Sequence, residues 1–230
     1  MIKKLLSKLG LGVAAQSQAG ASGLHEPYRA SHVNFLYNLL FCDDLALFKT
    51  GDAVKGGGPW ATLLADQPDL KALEAIAANE KEESRVRALA YHRLRAAGRD
   101  VPRGKLLGVI VEVPVDGGLD VLAAFADGRV RFLSHSEKVA IFEEGAAPEV
   151  EALAKELVAV SQTLVDQIGP WDRERLPPPH RGHVRMSFLV SDGLYLGEGP
   201  FDALASDAMG GPVLAKATQL LHRVVDAATE

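Results

Sequence analysis

The chain has 230 residues, 47% apolar and 24% charged, a soluble globular balance that excludes collagen, coiled coil and wholesale disorder. Its 25 basic and 30 acidic residues leave a net charge of -5, so no overall field draws it toward nucleic acid. A single cysteine, Cys42, excludes a disulfide framework and any cysteine-based zinc site within one chain.

The length suits one compound domain or two small ones. The pattern along it predicts a flexible basic segment and tether over 1–24, a helical module over 25–103 and an antiparallel α+β domain over 104–230. Lys3 and Lys4 open the chain like a signal peptide, but Lys8 interrupts the apolar stretch that would follow. No run reaches the length of a membrane span, and a cytoplasmic protein is expected. Leu5, Leu6 and Leu9 share one face of a short helix over residues 1–12; three lysines at about 1 kcal/mol each support only reversible contact with an anionic membrane. The ordinary reading is a frayed terminus.

In the helical module Pro27 suits a first helical position. Val33, Leu36, Tyr37, Leu40 and Phe41 then follow the spacing of a buried helical stripe. Gly51 and Gly56 to Pro59 break the chain. Helices are predicted over 69–79 and from Ser84 to Gly98, the glycine ending the second.

Past Gly98 the period changes from 3.6 to 2. LLGVIVEVPV is apolar on both faces, as a central strand covered on both sides must be. Asp127-Gly128 marks a hairpin between DVLAAFA and RVRFLS, with Val130 and Phe132 on one face and Arg129 and Arg131 on the other. VAIFE is a weaker fourth strand. A helix over about 150–168 follows, then the proline-rich LPPPHRGH, a second hairpin around Ser191-Asp192-Gly193, and a last helix from Pro212. Tight turns impose antiparallel neighbours, so the fold class is α+β with a largely antiparallel sheet: four strands, helix, two strands, helix.

The signals for chemistry are sparse. SDGLYLGEGPFD gathers Asp192, Gly193, Tyr195 and Glu198 before a helix start at Phe201. Helix N-termini hold anions, yet this loop has no cation, and a structural strand-to-helix turn is its ordinary reading. His180 and His183, with Asp172 upstream, have the H-x2-H spacing that supplies two metal ligands. His135, Asp192 and Glu198 are the further ligands such a site would recruit, against the bland reading of solvated loop histidines. No serine or cysteine falls in a nucleophile motif; Cys42 reads as a buried thiol that Asp43 and Asp44 would make less reactive. Arg85, Arg87 and Arg95 head a basic stretch ending at Lys105, ordinarily a solvated face and otherwise a protein contact. Trp171 and Trp60 sit at element boundaries, beside the arginines and prolines of interface anchors.

YNLLFCDDLALF, IGPWDRERLPPP and VRMSFLVSDGLYLGEGP resemble stretches in a group of uncharacterised proteobacterial proteins of similar length. The resemblance covers most of the chain from Tyr28 onward and implies a bacterial cytoplasmic protein, with no catalytic residue or cofactor carried over. The sequence therefore points to a non-enzymatic interaction or regulatory protein, with no cofactor, that binds a protein partner or itself. A rival reading is a small-molecule-binding domain or metal-assisted hydrolase with its site between the 171–183 loop and the 191–202 turn. Nucleic acid and membrane attachment rank below both.

Overall fold

The computed structural model describes residues 24–49 and 57–229. The expectations for residues 1–23, the membrane-contact helix and tether included, and for the break at Gly51 to Gly56 fall outside the described residues. Seven α-helices and six strands make up the rest. They are α1 (Ser31–Leu39), α2 (Pro59–Leu64), α3 (Leu70–Ala78), α4 (Ser84–Ala96), β1 (Leu106–Val115), β2 (Gly118–Phe125), β3 (Val130–Leu133), β4 (Val139–Phe142), α5 (Pro148–Val165), β5 (His183–Val190), β6 (Gly193–Pro200), α6 (Phe201–Ser206) and α7 (Gly210–Ala227). A short 3-10 turn, Leu45–Lys49, follows α1.

Every neighbouring pair in the sheet is antiparallel, in the order β4-β3-β2-β1-β5-β6, so the fold is α+β. β1 lies between β2 and β5, and alternation sends its side chains to two different cores. Val109, Val111 and Val113 join Leu122, Phe132, Met186 and Phe188 beneath α5 and α7, while Leu107 and Ile110 join Val121, Phe125 and Leu189 beneath α1 to α4. That double coverage is why β1 has no polar face. The helices before the sheet form one of its two covers and share a core with it.

The local signals act as the sequence suggests. Asp69 caps α3 by accepting from Lys71 N at 2.9 Å. Gly98, just past α4, takes φ +70°. At the β2–β3 turn Gly128 takes φ +89°, the left-handed conformation that glycine tolerates best. Ser84 N donates to Asp127 Oδ2 at 2.7 Å and Asp127 N to Ser84 Oγ at 3.0 Å, which ties the start of α4 to that turn. Two expectations need correcting. Pro27 is not the first helical residue: the chain bends over Tyr28 to Ala30 before α1 begins at Ser31, held by a reciprocal pair in which Tyr28 N donates to Asn34 Oδ1 and Asn34 Nδ2 to Tyr28 O, both 2.8 Å. Gly197 to Pro200 are not a turn but the second half of β6, paired with His183 to Met186.

No helix among the described residues is long and apolar enough to cross a membrane.

Candidate metal centre

The Ser191-Asp192-Gly193 turn fixes the register of the β5–β6 hairpin, and that register sets Arg185 opposite Glu198. On the other side of β5, Glu112 of β1 lies opposite Arg185. Residues directly opposite share a face, so three adjacent strands carry a Glu–Arg–Glu row on the side covered by α1. Arg185 Nε and Nη2 both donate to Glu198 Oε2, at 2.8 and 2.5 Å. Its Nη1 lies 3.6 Å from Glu112 Oε2. Glu112 is fully buried and accepts from the Tyr37 hydroxyl at 2.8 Å. Burial pushes the Glu112 carboxyl up, with Arg185 pulling the other way.

A proline-rich strap, residues 170–182, runs along this face. Proline has no N–H to give, and the strap's carbonyls turn inward: Leu176 O and Pro177 O accept from Arg185 at 3.1 and 2.7 Å. Arg175 lies over the Phe41 ring at 4.2 Å, reaches Asp43 at 2.7 Å and donates to Asn38 at 2.8 Å. The strap is thus pinned to both α1 and the sheet.

The strap ends in the two histidines. Gly182, at φ +85°, turns the chain so that His183 opens β5 beneath His180, with ring centroids 3.8 Å apart. His183 Nδ1 faces Glu198 Oε1 at 3.7 Å, beyond hydrogen-bond range. That nitrogen is buried and makes no hydrogen bond. Arg185 occupies the other carboxylate oxygen, so Oε1 is left turned toward the imidazoles. One donor atom each from His180, His183 and Glu198 lie within 4.8 Å of one another. Two imidazoles and a carboxylate are a ligand set for Zn²⁺ or a neighbouring transition metal with a fourth position open, and Arg185 is the outer partner that fixes the carboxylate. His180 is exposed, so solvent reaches the cluster from its side.

The remaining residues singled out from the sequence lie elsewhere. Asp192 sits at the far end of the hairpin, roughly 20 Å along β6 from Glu198 at about 3.3 Å per residue; it accepts from Gly104 N and the Tyr195 hydroxyl at 3.1 and 3.0 Å. Gly193 packs beside Pro170, Tyr195 is buried, and Trp171 N donates to Leu194 O at 2.7 Å. Asp172 is exposed beside Arg173. His135 belongs to a different pair: its backbone N and Nδ1 lie 2.6 and 2.9 Å from Asp120 Oδ1.

The arginines of α4 are engaged within the fold. Arg85 pairs with Glu83, Arg87 is buried and donates to Ala77 O, and Arg95 donates to Ser191 O. Cys42 is buried, and its thiol is pushed up to about 12, chiefly by burial, with Asp43 adding to the shift.

Sequence reasoning missed Glu112, Arg185 and Tyr37. The signal for Arg185 and Glu198 was present, because the hairpin turn dictates their pairing. Glu112 and Tyr37 join through register and packing across more than seventy residues, which no local pattern carries.

Comparison of the chain with known protein families, with curated proteins and with solved structures finds no match.

Proposed function

We propose that the protein is a non-enzymatic regulatory protein that takes up one divalent transition-metal ion, Zn²⁺ by preference, on His180, His183 and Glu198. The observation that carries this is the convergence of three donors on a point where a buried imidazole nitrogen has no other partner. A buried polar atom without a partner is costly, and metal ligation relieves that cost. The ion would tie the end of the strap to β5 and β6. Metal-assisted hydrolysis is the second reading, because three protein ligands with a fourth position left for water are also the arrangement of catalytic zinc sites. A protein-binding reading draws support from another place, the exposed Ile141 of the edge strand β4.

Thermal denaturation tests the metal. An ion present at a hundred times its dissociation constant adds about 2.7 kcal/mol, a rise of roughly 5 to 11 °C for a chain of this size. Zn²⁺, Co²⁺ and Ni²⁺ should each raise the melting temperature of the wild type and leave His183→Ala unmoved. Equal shifts in the two proteins would defeat the assignment.

A further inference from the structure

We propose that Glu112 is a positioning residue for the centre on His180, His183 and Glu198: acting through Arg185, its charge sets how tightly the ion is held. The ion in turn draws Arg185 onto Glu112 and so stiffens α1. The inference rests on the metal-binding reading above and extends it to regulation of that centre.

One guanidinium serves two carboxylates. Arginine has five N–H donors. In Arg185, Nε gives one to Glu198 Oε2, Nη2 gives two to Glu198 Oε2 and Pro177 O, and Nη1 gives one to Leu176 O. The remaining one, on Nη1, has Glu112 Oε2 at 3.6 Å, beyond hydrogen-bond range. That oxygen is buried and has no hydrogen-bond partner. The other oxygen of Glu112, Oε1, accepts from the Tyr37 hydroxyl of α1 at 2.8 Å. Arg175, the other cation whose charge reaches Glu112, is paired with Asp43 at 2.7 Å. Among the described residues, Arg185 is therefore the cation placed to complete the Glu112 carboxylate.

The two ends of the row compete for it. An ion on Glu198 Oε1 withdraws charge from the whole carboxylate, so that Oε2 holds the guanidinium less firmly. Arg185 can then close on Glu112 Oε2. The buried oxygen gains the partner it lacks, in a place where water is excluded and such a bond counts most. Binding couplings are reciprocal: what the ion gives to the Glu112–Arg185 contact, ionised Glu112 gives back to the ion. Net charge acts in the same direction, because two carboxylates around one guanidinium attract a cation and one carboxylate does not. Adjacent strands lie about 4.8 Å apart, which puts Glu112 of β1 about 10 Å from Glu198 of β6 across β5. At that range a unit charge changes the affinity for a divalent ion about tenfold. Tyr37 carries the effect into α1, since Glu112 holds its hydroxyl.

The experiment pairs Co²⁺ titration with amide hydrogen exchange on the full chain. The wild type should bind one ion, and the amides of Ser31–Leu39 should exchange more slowly once it is loaded. Glu112→Gln keeps the shape without the charge, and should bind the ion about tenfold more weakly with no slowing in α1. Glu112→Asp returns the charge and should recover most of the affinity, which a merely structural role would not do. Tyr37→Phe should bind nearly as tightly as the wild type while losing the slowing in α1. Should Glu112→Gln fail to fold, exchange in the wild type still decides the matter. A wild type that takes up no ion would defeat the metal-binding reading and this inference with it. One ion bound by the wild type together with an undiminished affinity in Glu112→Gln, no recovery in Glu112→Asp, or exchange in α1 indifferent to the ion would overturn this inference alone.

Discussion

Glu112 lies at the centre of the sheet with Arg185 on one side and the Tyr37 hydroxyl on another, closed off from water. Removing Arg185 leaves that carboxylate buried without its cation. Arg185→Ala should therefore cost about 3 to 5 kcal/mol, read as a fall in the urea midpoint. Burial raises the Glu112 carboxyl above its usual range. A group raised in the folded state contributes stability that is fully present below its unfolded value, about 4.3 for glutamate, and that is lost as the pH climbs through the folded one. Glu112→Gln abolishes the titration, so the variant should gain on the wild type as pH rises above that value. A wild-type advantage that grows with pH in urea titrations would contradict this. Cys42, with its thiol pushed up to about 12, holds almost no thiolate at neutral pH. Iodoacetamide should leave it unmodified until denaturant opens the fold, as mass spectrometry would read directly.

At the scale of elements, the turns carried most of what could be read in the chain. Asp127-Gly128 and Ser191-Asp192-Gly193 each set a hairpin, and with it every pairing of β2 with β3 and of β5 with β6. The end of β6 was harder to read because Gly197, Gly199 and Pro200 are poor strand formers. They persist because β6 is an edge strand, where a proline's missing N–H leaves no ladder bond broken. That misplaced boundary is what hid the meeting of Glu198 with His183: in a turn Glu198 faces no fixed partner, whereas on a strand its neighbour is dictated. Turn glycines also give a direct test. Gly104 and Gly128 both have positive φ, but a Cβ on Gly104 meets nothing within 4 Å while one on Gly128 would lie 2.3 Å from Glu151 Cγ. Glu151 in turn accepts from Gly145 N and pairs with Lys155. Gly104→Ala should lose about 1 to 2 kcal/mol from backbone strain alone, and Gly128→Ala more. Equal losses would mean that Glu151 moves aside freely.

Across the whole molecule, a doubly covered central strand brings the strap, α1 and the β5–β6 hairpin onto one face, and that superposition generates the site. The apolar run of β1 announced the two covers. Which polar residues would meet beneath them depended on long-range register, and none of it was legible in local periodicity. Tyr37 comes from the first helix, Glu112 from the first strand, and His180 from a loop nearly seventy residues further on. The metal-binding reading is most directly tested by titrating the wild type and His183→Ala with Co²⁺ while following its visible d–d absorption, whose intensity reports low-coordinate nitrogen and oxygen ligation. The wild type should develop the bands and saturate at one ion per chain, and the variant should remain colourless. Colourless wild-type protein, or bands of equal strength in both, would contradict a centre built on His180, His183 and Glu198.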